Sequence, residues 1–168
     1  MITGKTINEM KIGDAVEFTK TITEADIYMF AGITGDVNPA HLNEAYAKKT
    51  PFKKRIAHGM LTAGYISAIL GNQLPGPGTI YLGQELKFMA PVFIGDTITV
   101  RVEVAELLPE KNRVRLKTTC TNQDGKLVLT GEALVMAPKE PVNVVTPMKV
   151  AGNYNASLSP AKREVGVQ

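Results

Sequence analysis

The sequence predicts an α+β domain, on three observations. A strand-like segment is followed by helical ones and then by strands alone; the central helical segment is apolar on nearly every side; and the later segments alternate apolar and polar residues with period two. A parallel sheet would instead alternate strands with helices along the chain. The 168 residues suit one domain, which at that length buries of order 70% of the surface its unfolded form exposes.

Asp14 to Ile22 mix apolar and polar positions, with Val16 and Phe18 on one side, and predict a first strand. Thr23 then suits a helix N-cap. Asp26 stands three places on, an imperfect capping box, and Ile27, Phe30 and Ala31 stripe the helix down to Gly35, a C-terminal stop. The helix delivers the chain to Asp36-Val37-Asn38-Pro39-Ala40-His41. Proline disfavours the helical region for the residue before it, so Asn38-Pro39 predicts an irregular loop. Asn43 caps a brief second helix through Tyr46 to Lys49, which Pro51 ends.

Gly59 to Gly71 lacks a polar face, which places this helix in the interior. It would be about 20 Å long, enough to cross a small domain. Gly64 and the alanines let another backbone come close, as in a helix wrapped by a sheet. Three half-buried strands follow, Ile80 to Phe88, Thr97 to Val104 and Arg113 to Cys120, and after the turn Gln123-Asp124-Gly125 a last, more uniformly apolar strand, Leu127 to Met136. Cys120 falls on the apolar face of its strand and reads as core. Residues 1–138 make up the domain; 139–168, with Pro141, Pro147 and Pro160 and no sustained period, read as an extended tail on the surface or partly loose.

Hydrophobic residues at 44% beside charged residues at 21% are those of an ordinary soluble globular protein. A single cysteine excludes an internal disulfide framework and offers no Cys/His cluster for zinc. The amino-terminal stretch has no apolar signal-like region, and Met60 to Leu70 falls short of the roughly 18 residues a membrane span needs. A cytoplasmic address and no membrane association are therefore expected. Nineteen basic against sixteen acidic residues give a formal charge of +3, too small and scattered for nucleic-acid binding. The densest cluster, Lys53-Lys54-Arg55, reads as solvated charges on a loop that could meet an anionic ligand.

Chemistry concentrates in the Asp36 loop. It holds a carboxylate, an amide and an imidazole in six positions, and a loop can aim Asp36, Asn38 and His41 at one point where a helix would scatter them. A second patch, Arg55-Ile56-Ala57-His58-Gly59-Met60, ends where the central helix begins. Helix N-termini leave N–H groups without internal partners and carry about half a positive charge. Gly59 has no side chain to obstruct an approach, so its N–H could bond an oxygen that becomes negative during reaction, an oxyanion hole. His58 reads as shaping the turn before the helix rather than as catalytic. Ser67 lies about 12 Å further along the axis, too far to join that hole; it either bonds back to the preceding turn or supports the Asp36 loop from behind.

Phe30-Ala31 with Thr34-Gly35-Asp36-Val37-Asn38-Pro39-Ala40-His41, then Ile56-Ala57-His58-Gly59-Met60 and Ser67, resembles the MaoC-type (R)-specific enoyl-CoA hydratases, also called hydratase 2. The likeness covers roughly residues 10–138. It implies a hot-dog fold, an antiparallel sheet wrapped round a central helix. It also implies hydration of a trans-2-enoyl-CoA to an (R)-3-hydroxyacyl-CoA and the reverse dehydration. The family's catalytic aspartate and histidine fall on Asp36 and His41, its loop asparagine on Asn38, its oxyanion glycine on Gly59 and its helix serine on Ser67.

The residue types agree with that chemistry, because a carboxylate and an imidazole form a complementary pair for moving the protons of one water near neutrality. No metal or redox cofactor is expected, and the substrate is an acyl-CoA or an acyl carrier protein thioester. The resemblance further implies a homodimer or higher homo-oligomer with sheets joined edge to edge. Tyr65, Met60, Leu82 and Leu86 are candidates for selecting acyl-chain length, although core packing explains each as well. Two other classes share the fold: an acyl-CoA thioesterase using a carboxylate and a helix N-terminus, and a non-catalytic acyl-thioester binding module.

Overall fold

The computed structural model describes residues 2–145 and 153–157. Its strands are β1 (Ile2–Gly4), β2 (Ala15–Thr21), β3 (Ile80–Phe88), β4 (Thr97–Leu108), β5 (Arg113–Thr121), β6 (Leu127–Met136), β7 (Val142–Val144) and β8 (Asn153–Ser157). Its helices are α1 (Glu24–Thr34), α2 (Pro39–Leu42), α3 (Glu44–Ala47) and α4 (Gly59–Asn72). Six strands form one antiparallel sheet in the order β3-β6-β5-β4-β2-β8, and β1 pairs with β7. The sheet packs on α4, giving the hot-dog arrangement.

Alternation in the sequence becomes a core at the middle of the sheet. Ile98, Val100, Val102 and Val104 of β4 and Val114, Leu116 and Cys120 of β5 are sealed from solvent, while Arg101, Glu103, Arg115 and Lys117 point the other way. From α4 come Ile66, Ile69 and Leu70, each fully buried and contributing about 1.5–3 kcal/mol of apolar burial. Burial pushes the Cys120 thiol up to about 12, so the core reading of that residue holds.

Two expectations about exposure need correction. Only one face of α4 is enclosed: Thr62, Ala63, Ile66, Ile69 and Leu70 face the sheet, whereas Met60, Gly64, Ser67 and Gly71 are exposed. The small residues Gly64, Ser67 and Gly71 thus lie on the face of α4 that the sheet does not reach. β3 is not half-buried either. It is the sheet's outer edge, and Ile80, Leu82 and Phe88 all stand open.

The region read as a tail supplies two short strands. Val142–Val144 pairs with Ile2–Gly4, and Asn153–Ser157 extends the sheet beyond β2. The remainder of 139–168, residues 146–152 and 158–168, lies outside the described residues.

Candidate active site

The site is built where α1, α2 and α4 meet. Gly35 adopts the left-handed conformation, φ 77°, and ends α1, its N–H donating to the Ala31 carbonyl. Thr34 Oγ1 then accepts from the Asp36 N–H at 3.2 Å, and the Asp36 carboxylate accepts from the Asn38 N–H at 3.2 Å. These short-range bonds set up the turn that presents Asp36. Asn38 caps α2, its Oδ1 accepting from the Ala40 N–H at 3.0 Å, with Pro39 at the first helical position. The irregular loop expected from Asp36 to His41 is thus shorter: proline bars a helix before it but starts one well.

His41 sits on α2, only 8% exposed, with Nδ1 2.9 Å from the Ile56 carbonyl oxygen. A carbonyl only accepts, so Nδ1 carries the hydrogen and Nε2 of the neutral ring keeps its lone pair. His58, 2% exposed, is engaged the other way round, its Nε2 2.9 Å from the Asp36 carbonyl oxygen. The two imidazoles lie against each other with centroids 3.8 Å apart and planes tilted by 33°, and Phe30 packs on His58 at 4.9 Å. Ligating atoms of Asp36, His41 and His58 all fall within 4.8 Å of one another, near enough to share one water or to hold a cation.

The segment that leads into α4 is strung between neighbours. The Ile56 N–H donates to the Ala40 carbonyl at 3.2 Å and the Ala57 N–H to the Val92 carbonyl at 2.7 Å. His58 is the N-cap residue of α4, and among the described residues no side chain caps this helix. The Leu61 N–H donates to the His58 carbonyl at 3.1 Å, whereas the N–H groups of Gly59 and Met60 precede the first intrahelical bond and have no partner within the helix. Beside them opens a cavity of about 500 Å³. Asp36, His41, His58, Gly59 and Thr62 bring polar groups to it, and Phe52, Met60, Phe88 and Leu129 are among its apolar walls.

Asp36, His41 and Gly59 therefore border one space, as expected from the sequence. Asn38 spends its side-chain oxygen on capping, and Ser67 is exposed on α4 and does not line the cavity. Of the chain-length candidates Met60 lines it; Tyr65, Leu82 and Leu86 do not. The basic cluster is partly engaged, with Arg55 paired to Glu24 and Glu44 and bonded to Tyr28, and the Lys54 ammonium 4.2 Å from the Phe93 ring centroid. Sequence reasoning missed the contact of His58 with both His41 and Asp36. The available signal was that the chain's only two histidines both fall in the two motif patches.

The fold and the relatives together place the chain among hot-dog enzymes of the hydro-lyase class. The family described as "MaoC like domain" matches residues 8–127, and the chain belongs to it. It is 59% identical over 130 residues to an (R)-specific enoyl-CoA hydratase of Rhodospirillum rubrum, covering 77% of this chain and 90% of that one. It is 54% identical over 132 residues to a 3-hydroxybutyryl-CoA dehydratase of Methylorubrum extorquens, covering 79% and 83%. Among solved structures it is similar to R-hydratase PhaJ1 from Pseudomonas aeruginosa, with a TM-score of 0.79, 48% identity and coverage of 89% and 98%.

Proposed function

We propose that this protein adds water to a trans-2-enoyl-CoA to give an (R)-3-hydroxyacyl-CoA, and catalyses the reverse dehydration. The observation that carries this reading is the convergence of the Asp36 carboxylate and the His41 imidazole beside the uncapped N-terminus of α4, at one cavity. The identities to hydratases and dehydratases support it.

In this reading one water sits between the Asp36 carboxylate, which accepts one of its hydrogens, and His41 Nε2, which faces the other. As the water oxygen bonds to C3, its proton passes to Nε2 and the C2=C3 electrons move toward the thioester. The C1 oxygen becomes an enolate oxyanion, held by the Gly59 N–H and the positive end of α4. Removal of comparable donors elsewhere costs about 2.7–4 kcal/mol. The imidazolium then returns a proton to C2, so that one water is added and the base is regenerated. Asn38 keeps the loop in shape through its cap. Ser67, on the exposed face of α4 and outside the cavity, stands apart from the reacting atoms. The sequence of proton transfers calls for no metal or redox cofactor, and we infer a cytoplasmic protein. Among the described residues no helix is long and apolar enough to cross a membrane.

We also infer a homodimer. The support is the open outer edge β3, with Ile80, Tyr81, Leu82 and Phe88 exposed, next to the bare face of α4.

The test is kinetic, with crotonyl-CoA as substrate. Asp36→Asn and His41→Ala are each expected to lower kcat by at least about 10²-fold, the range that acid–base groups contribute. Near-normal turnover in either variant would remove that residue from its role. Release of free thiol with the double bond intact would identify a thioesterase instead, and saturable binding without turnover a binding module. A graded series of acyl lengths, on CoA and on acyl carrier protein, defines the preferred substrate.

A further inference from the structure

We propose that His58 is a positioning residue for this reaction: its Nε2–H, donated to the main-chain carbonyl of Asp36, holds the carboxylate loop in register with the Gly59 amide. The proposal rests on the reading of Asp36 and His41 as the acid–base pair.

Among the described residues Asp36 makes three hydrogen bonds, and two of them are local. Its N–H goes to Thr34 and its carboxylate accepts from the Asn38 N–H. Both would survive if the whole turn swung outward, and residues 32–39 are exposed. The third bond, from His58 Nε2 at 2.9 Å, ties the loop to α4 across 22 residues of sequence. His41 is referenced to the same short segment, through its Nδ1–H to Ile56. Residues Ile56 to Gly59 thus fix all three parts of the site: base, carboxylate loop and amide donor.

The burial of His58 points the same way. Its ring is packed between His41 and Phe30, where an aromatic hydrocarbon would fit. Yet the chain places an imidazole there and leaves its Nδ1 buried without a partner among the described residues. An orphaned buried acceptor is a cost that packing alone does not justify. The Nε2–H bond to the catalytic loop is what the imidazole provides that a phenyl ring would not. The two histidines therefore hold opposite tautomers, Nδ1–H on His41 and Nε2–H on His58.

Two substitutions separate ring from hydrogen bond. His58→Phe keeps a stacked ring and removes the donor, whereas His58→Gln keeps an N–H near the position of Nε2 and removes the ring. We expect His58→Phe to lower kcat for crotonyl-CoA by about 10²-fold, the effect of a misplacement near 1 Å, with KM within about threefold of the parent. His58→Gln should recover kcat to within about tenfold of the parent. The proposal fails if His58→Phe keeps kcat within about threefold while Asp36→Asn is inactive, or if Gln is no better than Phe. An active Asp36→Asn variant would instead sink the underlying acid–base reading.

A second measurement needs no variant. The chain holds two histidines, so ring-nitrogen NMR of the 15N-histidine-labelled protein at neutral pH resolves both. One Nδ1–H and one Nε2–H tautomer, the latter on His58, is expected, with a coupling from His58 Nε2 to the Asp36 carbonyl carbon when aspartate carbonyls are also 13C-labelled. An Nδ1–H tautomer on His58 overturns the proposal.

Discussion

Gly59 meets the ring of Phe88 closely enough that its missing side chain has a second meaning. A Cβ built there would stand 2.6 Å from a ring carbon of Phe88, so the aromatic ring lies directly over the start of α4. Replacing Gly59 by Ala must displace that ring and places a methyl beside the N–H assigned to the oxyanion. The expected outcome is a loss of about 10²-fold in kcat/KM for crotonyl-CoA, the scale of one lost oxyanion donor. In the isolated subunit the melting temperature should hardly move, because there Phe88 is 55% exposed and can turn away. Asp36, His41 and Gly59 were legible in the sequence because residue type, the Asn38-Pro39 break and the helix start each carry a local physical signature. The His58 bond to the Asp36 carbonyl was not. A side chain reaching a main-chain oxygen 22 residues away leaves no periodicity and no composition to read.

At the level of elements, the start of α1 shows how far local rules reach. Thr23 Oγ1 accepts from the Asp26 N–H at 3.2 Å, and the Asp26 carboxylate accepts in return from the Thr23 N–H at 2.8 Å, so the imperfect box predicted from Thr23 and Asp26 closes. Thr23→Ala should lower stability by about 1 kcal/mol, or roughly 2–4 °C in melting temperature, read by calorimetry. Burial works to raise the Asp26 carboxyl, but hydrogen bonds from Lys20 and Thr23 outweigh it and hold the group below its ordinary value. A depressed folded-state value means stability present above the unfolded pKa and lost as pH falls through the folded one. Denaturant titrations from about pH 5 downward should therefore show a shallower acid loss in Asp26→Asn than in the parent. Sequence pattern was less informative about α4 and β3. Period two says that a strand has two faces, not whether a neighbour covers its edge, and a helix of small residues looks the same whether it is enclosed or open on one side.

For the whole molecule, the exposed edge carries the prediction. Leu82 stands open near the start of β3, at the irregularity between Tyr81 and Gly83, so Leu82→Lys should leave the fold within about 0.5 kcal/mol of the parent. It should also convert a dimeric mass in light scattering to a monomeric one, because a charge on an edge strand blocks pairing. A parent already monomeric would refute the assembly. Phe88 gives that edge a further significance, since it ends the outermost strand and walls the cavity over Gly59. Whatever docks along the strand also braces the ceiling of the reaction chamber. Specific activity per chain should then decline on dilution to concentrations where subunits separate, with chemistry and assembly sharing a single aromatic hinge.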